Sequence, residues 1–173
     1  MPRRDVDYDK IIIEPLSRAN YSPEFNCDFE DDMGLNIFYH KEALAFHEEK
    51  LGRTHVFFYE GRIIGFVTLA MEGIPRKKLD ESDQLGIHTR TYPALLIGRL
   101  AVDNEWRGSG IGTWILKWCL GFAVDISERV GCRYVVLQTN KRREGWYRPN
   151  SLGFKLLYID KEDYWLFRKI DLD

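Results

Sequence analysis

The chain has 173 residues, of which 45% are hydrophobic and 30% are charged, and its formal net charge is −2. This length is enough for one domain with a sizeable core, and the small net charge excludes a strong overall attraction to nucleic acid. Because no apolar run approaches the roughly 20 residues of a membrane helix and no signal peptide is visible, we expect a single cytoplasmic domain over residues 1–173.

The cysteines and histidines argue against disulfides and metal sites. The three cysteines are odd in number and show no C-x-x-C spacing, which disfavours a disulfide framework and a structural zinc site. His40 and His47 lie seven residues apart, but no acidic or thiolate partner completes a site. We therefore expect no bound metal.

The first quarter of the chain predicts one strand followed by helices. The apolar run at residues 11–13 precedes a proline and is typical of a short strand. Asp28 is a candidate helix cap. From Phe29 onward the apolar positions predict one or two helices that end near Lys50.

A hairpin and a long connection follow. Residues 55–59 and 63–71 are rich in β-forming side chains and are separated by a Glu-Gly turn, which predicts two antiparallel strands. Residues 72–92 are polar and irregular. Connections of this length are usually functional or mobile, so we expect this one to shape the mouth of a substrate site.

Residues 94–102 predict another strand, which leads through a glycine turn at 108–112 into an amphipathic helix. Apolar side chains recur there every three or four residues and form one face: Ile111, Ile115, Cys119, Phe122, Ile126 and Val130. Gly131 is expected to end this helix.

The last third predicts a strand at residues 133–138, a short helix at 142–147 and a closing strand pair at 154–158 and 164–170. Pro149 would cut the short helix. The order β-α-β-β-β-α-β-α-β-β predicts an α/β (α+β) fold with a mixed central sheet of about six to seven strands and helices on both faces.

The strand, glycine turn and helix between residues 100 and 113 predict a cradle for an anion. Glycines allow the backbone to turn tightly with its N–H groups pointing inward, and a helix N-terminus adds a partial positive charge. A pyrophosphate placed there would meet several donors. Arg107 at the entrance would add a charge-assisted contact.

Two common nucleotide sites do not fit this segment. A P-loop requires a Gly-Lys pair, which is absent. In the dinucleotide fingerprint a third glycine is expected where Thr113 stands, and the next strand, ending in Gln138-Thr139-Asn140, lacks the acidic residue that contacts the ribose.

The run Arg107-Gly108-Ser109-Gly110-Ile111-Gly112 resembles the R-G-x-G-[IL]-G acetyl-CoA signature of the GNAT acetyltransferases. Downstream, Thr139-Asn140, Trp146-Tyr147 and Leu152-Gly153-Phe154 are similar to further motifs of that family. The resemblance covers roughly residues 54–158. It implies an N-acetyltransferase that transfers acetyl from acetyl-CoA to a primary amine by direct attack.

The resemblance also implies a role for each matching residue. The cofactor's pantetheine arm would pair with Leu100, Ala101 and Val102. Its pyrophosphate would lie on the run that contains Arg107, Gly108, Ser109, Gly110, Ile111, Gly112 and Thr113, and Asn140 would contact the cofactor side.

Tyr147 is the candidate acid that protonates the departing thiolate. A phenol with a pKa of about 10 is protonated at neutral pH, and a thiol pKa of about 8.5 is close enough for transfer. One departure from the family bears on how the ring is aimed. Five residues, including Pro149, separate Tyr147 from Gly153, where the family usually has three.

The general base is not apparent from the sequence. Glu72, Asp103 and Glu105 are candidates by position at strand ends, although exposed carboxylates are usually only solvated. An α-amine with a pKa near 8 needs little help to lose its proton, whereas a lysine amine near 10.4 needs a strong base. The absence of an evident base therefore favours an α-amine substrate.

A narrower resemblance suggests the substrate class. Residues 25–28, 53–57 and 98–102 are similar to the GNAT toxins of toxin–antitoxin pairs, which acetylate the α-amine of aminoacyl-tRNA and commonly pair with a small antitoxin. In that case the basic run Lys141, Arg142 and Arg143 would hold tRNA phosphates. The same run could instead hold the adenosine phosphate of the cofactor.

Two alternatives remain open at this point. The enzyme could act on a peptide, a protein or a small amine rather than on tRNA. The chain could also be a non-catalytic coenzyme A-binding module, which the altered spacing after Tyr147 would suit. A homodimer is compatible with either.

Overall fold

A computed structural model describes residues 4–148 and 152–171, with a mixture of strands and helices in the predicted order. The helix predicted after β1 is formed by two consecutive helices. The described elements are β1 (Ile12–Pro15), α1 (Leu35–Lys41), α2 (Ala43–Glu48), β2 (Arg53–Tyr59), β3 (Arg62–Pro75), β4 (Thr91–Val102), α3 (Ile111–Ser127), β5 (Tyr134–Asn140), α4 (Lys141–Tyr147), β6 (Lys155–Asp160) and β7 (Asp163–Lys169).

The strands form one mixed sheet of seven strands in the order β1-β2-β3-β4-β5-β7-β6, which confirms the predicted fold class. The pairs β1–β2, β2–β3, β5–β7 and β6–β7 are antiparallel. The pair β4–β5 is parallel, and its ladder joins Ala94–Ile97 to Tyr134–Leu137. The residues of β4 beyond Ile97, which include part of the predicted cofactor site, lie past this ladder.

The described chain divides into two compact units. The first comprises residues 4–70 and 98–116, and the second comprises 71–97 and 117–171, so both contain part of β3, β4 and α3. The expectation of a single domain stays a prediction. No helix in the described ranges is long and apolar enough to span a bilayer.

Each unit has an aromatic centre. In the first, the rings of Phe25, Tyr39 and Phe66 lie 4.6–5.6 Å apart between centroids and are buried. In the second, Tyr134 packs edge-on against Phe167 at 5.4 Å. Burial of rings of this size supplies much of the hydrophobic stabilisation of a small core.

The first predicted helix begins six residues later than expected, at Leu35. The preceding acidic residues form a turn instead, in which Glu30 and Gly34 have positive φ angles of 52° and 69°. The Asp31 carboxylate accepts the backbone N–H groups of Leu35 (2.9 Å) and Asn36 (2.8 Å) and so caps the helix.

The long connection is shorter and more ordered than predicted, because β3 extends to Pro75 and β4 begins at Thr91. Arg76 organises the residues between them. Its guanidinium donates to the carbonyls of Leu85 (2.7 Å) and Ile87 (2.9 Å), and also to the Tyr92 hydroxyl. The sequence predicted only a polar and irregular connection here.

Helix α3 ends at Ser127, four residues before the glycine that was expected to stop it. The Arg129 N–H bonds only three residues back, to the Ile126 carbonyl (3.0 Å), so the last turn tightens after the helix ends. Val130 is consequently 57% exposed rather than part of the buried face. That face consists of Ile111, Ile115, Leu116, Cys119 and Ala123.

Candidate functional site

The glycine turn between β4 and α3 has the geometry that an anion cradle requires. Gly108 and Gly110 have φ angles of +75° and +89°. Residues with a Cβ rarely adopt this left-handed region, so the turn depends on glycine at both positions. A Cβ added at Gly108 would meet no atom within 4 Å, which shows that this side of the turn is open.

The start of α3 supplies the donors. Its first hydrogen bond runs from the Trp114 N–H to the Gly110 carbonyl (3.0 Å), so the N–H groups of Ile111, Gly112 and Thr113 precede the helical ladder. Such groups, together with the helix dipole, stabilise a phosphate. These residues therefore fit the pyrophosphate of a coenzyme, and their contact with it stays a prediction.

Ser109 helps to build the turn. The side chain is buried, and its Oγ donates to the Trp106 carbonyl. The Ser109 carbonyl in turn accepts the Tyr8 hydroxyl at 2.9 Å, and the Tyr8 ring stacks on Trp114. The side chain of Ser109 thus closes the loop, which leaves its backbone as the part that could meet a ligand.

Arg107 is exposed at the entrance of the turn and contacts Phe29 in two ways. Its Nη1 donates to the Phe29 carbonyl at 2.5 Å, and its guanidinium lies 5.0 Å above the centre of the Phe29 ring. An arginine has five N–H donors, so these contacts leave others for a phosphate.

The predicted pantetheine residues end β4. Ala101 is buried, and Leu100 and Val102 are partly buried. All three lie beyond the last pair of the β4–β5 ladder, at Ile97. The Ala101 carbonyl faces Gly65 of β3, where a Cβ would come within 3.0 Å of it.

Asp103, which the sequence offered as a candidate base, has a structural role. The residue is only 5% exposed, and its carboxylate accepts the backbone N–H groups of Asn26 (3.1 Å) and Glu105 (3.0 Å). A carboxylate engaged in this way is poorly suited to take a proton from an amine. The signal that could have revealed this role is its position before a short turn, where aspartate commonly caps backbone donors.

The other two candidate bases are also engaged. Glu105 forms ion pairs with Arg4 (3.6 Å) and Arg62 (3.2 Å). Glu72 is exposed and accepts the backbone N–H of Gly73 at 2.9 Å. Each candidate base named from the sequence therefore has a carboxylate that already accepts a hydrogen bond or pairs with a cation.

Asn140 belongs to the second unit, where it ends β5 and caps α4. Its side-chain Oδ1 accepts the backbone N–H of Arg143 at 3.1 Å. This is a strong N-cap arrangement and explains why the helix begins directly after the strand. The predicted contact with the cofactor stays a prediction.

Tyr147 ends α4 and packs among aromatic rings of the same unit. Its ring lies 4.8 Å from Trp146 and 6.0 Å from Phe154, edge-on in both cases. Burial raises the pKa of Tyr147 to about 12, an effect that nearby Arg143 partly offsets. The phenol is therefore firmly protonated at neutral pH.

The unusual spacing after Tyr147 does not separate it from the following strand. The Phe154 N–H donates to the Tyr147 carbonyl at 3.4 Å, and the Phe154 side chain is buried beside the tyrosine ring. Pro149 lies outside the described residues. Its predicted effect on the ring stays a prediction.

The basic run lies on α4. Lys141 and Arg142 are exposed, whereas Arg143 is partly buried. Arg148 is paired with Glu144 one turn earlier, at 3.1 Å. Lys141 and Arg142 therefore lie at the surface of this helix, where their cationic side chains can make a local phosphate contact.

The two tryptophans next to the motifs, Trp106 and Trp146, differ in exposure. Trp106 is buried against Tyr59, with ring centroids 5.3 Å apart, and is part of the core. Trp146 is 41% exposed beside Tyr147, so part of its ring surface is accessible for stacking.

The cysteines offer no reactive nucleophile. Cys27, Cys119 and Cys132 are buried, and burial raises the pKa of each thiol, that of Cys27 to about 12. Within residues 4–148 and 152–171 no group of three His, Cys, Asp or Glu side chains is placed to hold a metal ion.

Comparison with known proteins identifies one family. Residues 15–154 match the family described as Acetyltransferase (GNAT) family. A curated relative, the tRNA-acetylating toxin of Mycobacterium tuberculosis (strain ATCC 25618 / H37Rv), is 30% identical over 107 residues. This match covers 60% of the present chain and 61% of the relative, so it spans about three fifths of the relative's length.

Two solved structures are similar over almost the whole chain. AtaT complexed with acetyl-methionyl-tRNAfMet has a TM-score of 0.78 and 26% identity, with 92% of this chain and 94% of that chain covered. AtaTR bound with AcCoA has a TM-score of 0.76 and 27% identity, with 94% and 95% covered.

Proposed function

Because the chain belongs to the GNAT acetyltransferase family, we propose that it transfers the acetyl group of acetyl-CoA to a primary amine and that this amine is the α-amine of aminoacyl-tRNA. The observation that supports acetyl-CoA as the acetyl donor is the open glycine turn at the N-terminus of α3. The tRNA part draws on the similarity to a tRNA-acetylating toxin and to a toxin structure that contains an acetylated methionyl-tRNA.

The chain would hold acetyl-CoA mainly through its backbone. When bound, this molecule supplies the acetyl group as an activated thioester. The N–H groups of Ile111, Gly112 and Thr113 would bind the pyrophosphate, with Arg107 adding charge. The backbone of residues 100–102 would pair with the pantetheine arm, and one N–H of this strand end would stabilise the oxyanion.

Tyr147 would hold a proton on Oη and give it to the departing sulfur. A pKa of about 12 keeps this proton in place at neutral pH, but it also makes the phenol a weaker acid than an exposed tyrosine. Transfer therefore requires that the departing sulfur be equally poorly solvated, since burial raises the proton affinity of a thiolate as well.

The amine needs no dedicated base in this mechanism. Asp103 and Glu105 are engaged in hydrogen bonds or ion pairs, and about a tenth of an α-amine with a pKa near 8 is already uncharged at pH 7. A water molecule can accept the remaining proton. This requirement favours an α-amine over a lysine side chain.

The exposed cations Lys141 and Arg142 would bind phosphates of the tRNA. We further propose a small antitoxin protein as a partner, which the toxin resemblance implies, and the cytoplasm as the location, where charged tRNA and acetyl-CoA are found together. Peptide, protein or small-amine substrates and a non-catalytic coenzyme A-binding role are the alternatives that the following experiment separates.

The test is isothermal titration with acetyl-CoA, followed by mass spectrometry of a panel of charged tRNAs, peptides and small amines. Binding together with the mass gain of one acetyl group on a charged tRNA is the expected result. Acetylation of peptides or small amines alone would reject the tRNA assignment. Binding without transfer to any amine would leave the non-catalytic module, and no binding would reject the proposal.

Salt dependence tests the tRNA contact separately. Replacing Lys141 and Arg142 by glutamine should reduce the slope of tRNA affinity against salt concentration by about one for each phosphate that is no longer bound. The matched control replaces Lys77 and Lys78, two lysines that follow β3 in the second unit, by glutamine. An equal effect of both pairs would contradict a specific role for α4.

A further inference from the structure

The segment at residues 26–29 is tied to the turn at 103–107, which leads into the glycine turn. The buried Asp103 carboxylate accepts the Asn26 N–H at 3.1 Å, and the Asn104 N–H donates to the Asn26 carbonyl at 2.8 Å. The two segments are more than 70 residues apart in sequence. The path of the chain into the glycine turn is thus fixed partly by residues near the N-terminus.

Asn104 binds the same segment with both ends of its side-chain amide. Its Oδ1 accepts the Phe29 N–H at 3.1 Å, and its Nδ2 donates to Asp28 Oδ1 at 2.8 Å. An amide suits this position because it offers an acceptor and a donor on two separate atoms of one planar group. The pair Asn104–Asp28 therefore sets the position of Phe29.

Phe29 in turn holds Arg107. The Phe29 carbonyl accepts the guanidinium at 2.5 Å, and the Phe29 ring lies beneath it at 5.0 Å. The ring is 57% exposed, so it contributes little to the core. Its evident contact is this cation–π pair, which restricts the direction in which Arg107 presents its remaining donors.

The charges around this cluster are mostly negative. Burial is the main cause of the raised pKa of the Cys27 thiol; Asp31, Asp103 and Asp28 raise this pKa further, whereas Arg107 lowers it. All four charges therefore lie near the Cys27 thiol. An anionic ligand at the glycine turn would be repelled by the carboxylates unless Arg107 were held toward it.

We infer that Asn104, Asp28 and Phe29 are positioning residues for coenzyme binding, because they hold Arg107 at the entrance of the pyrophosphate cradle. The inference rests on the proposed function, since it assigns a second layer of residues to the same coenzyme site. By linkage, coenzyme binding stabilises the segment at 26–29 as much as the segment favours coenzyme binding.

The test exchanges the amide and the carboxylate. In Asn104→Asp the donor to Asp28 is lost and two carboxylates face each other, so we expect the Kd for coenzyme A, measured by titration calorimetry, to rise about tenfold. The double variant Asp28→Asn, Asn104→Asp restores the pair with the donor and the acceptor exchanged. It has the same net charge as the wild type. Its Kd should return to within about twofold of the wild-type value.

Phe29→Ala provides a variant that should fold normally, because the side chain is largely exposed. We expect its Kd for coenzyme A to rise about threefold with an unchanged melting temperature. Ile37→Ala is the matched control, since Ile37 is an apolar residue of the same unit with 68% exposure and should leave both values unchanged.

The outcomes separate this inference from the proposed function. If the wild-type protein does not bind coenzyme A, the proposed function itself fails. If the wild type binds and the folded Asn104→Asp and Phe29→Ala variants bind equally well, the inference is wrong and the cluster only stabilises the fold. Failure of the double variant to restore affinity, with its melting temperature intact, would also overturn it.

Discussion

The two compact units contain candidate functional groups of different kinds. In the first unit the candidates are backbone groups: the end of β4, a turn with two left-handed glycines and the first N–H groups of α3. In the second unit the candidates are side chains on and before a seven-residue helix, chiefly Asn140 and Tyr147. Backbone donors remain present when a neighbouring side chain is replaced, whereas a proton donor depends on one side-chain atom.

This difference predicts different sensitivities. A backbone site should lose most of its affinity when a Cβ or a charge is added in the turn itself, and less when a supporting side chain is replaced. A side-chain site should lose its chemistry on removal of a single oxygen while the fold and the ligand affinity remain. Each of the following experiments tests one side of this contrast.

The largest effect is expected for Gly110→Glu in the first unit. Gly110 has a φ of +89°, and a glutamate there would be strained and would place a carboxylate where the pyrophosphate is expected. Coenzyme A binding measured by calorimetry should weaken by more than about 100-fold.

The control is Gly61→Glu, which makes the same replacement at a glycine with a φ of +76° in the β2–β3 turn. This variant should lose some stability but keep its coenzyme affinity. Unchanged affinity in folded Gly110→Glu would refute the cradle.

Tyr147→Phe tests the second unit. Removing the hydroxyl should lower kcat by about 100-fold, because the departing sulfur no longer has its proton donor, while the Kd for acetyl-CoA stays the same. Since the pKa of Tyr147 is about 12, its deprotonation should not reduce the rate at any pH below about 11.

Tyr158→Phe is the matched control, because Tyr158 is a partly buried tyrosine of the same unit with a raised pKa. It should keep full activity. Normal kcat in Tyr147→Phe would show that another group, or water, protonates the sulfur.

Gly65→Ala should destabilise the first unit through packing. A Cβ at this position would lie 2.7 Å from Ile115 Cδ1 and 3.0 Å from the Ala101 carbonyl oxygen. Helix α3 and the end of β4 would therefore have to move away from β3. We expect a decrease of about 1–3 kcal/mol in the free energy of unfolding, measured with urea.

Gly121→Ala is the opposite case, because Gly121 lies on helix α3 itself and has room for a side chain. It lies in the second unit, is exposed and has no atom within 4 Å of an added Cβ. This change should stabilise the protein by about 0.5–1 kcal/mol, because alanine favours the helix. Equal effects of the two variants would contradict the close packing at Gly65.

The smallest expected effect is on the melting temperature at acid pH. Burial lowers the pKa of His47 and lowers that of His55 to about 4, so folding favours the neutral imidazoles of the first unit. The stabilisation they provide is complete above pH 6.5 and is lost as the pH falls toward about 4. Melting temperatures should decline over this range, and less steeply in His55→Gln. An identical decline in that variant would assign the effect to other groups.

The sequence predicted the features that depend on neighbouring residues. Glycines at 108, 110 and 112 followed by an apolar period indicated the turn and α3, and alternating apolar runs indicated most of the strands, because these patterns act through local backbone preferences. The asparagine and tyrosine at the ends of α4 were identified by resemblance, although the capping role of Asn140 was not.

The tertiary structure decided which polar side chains are occupied by partners distant in sequence. Asp103 resembled a solvated carboxylate in the sequence, yet it is buried and accepts the Asn26 N–H, 77 positions away. Arg107 contacts Phe29, 78 positions away. These partners meet only because strand pairing and helix packing bring separate segments together, so no local pattern of the sequence records them.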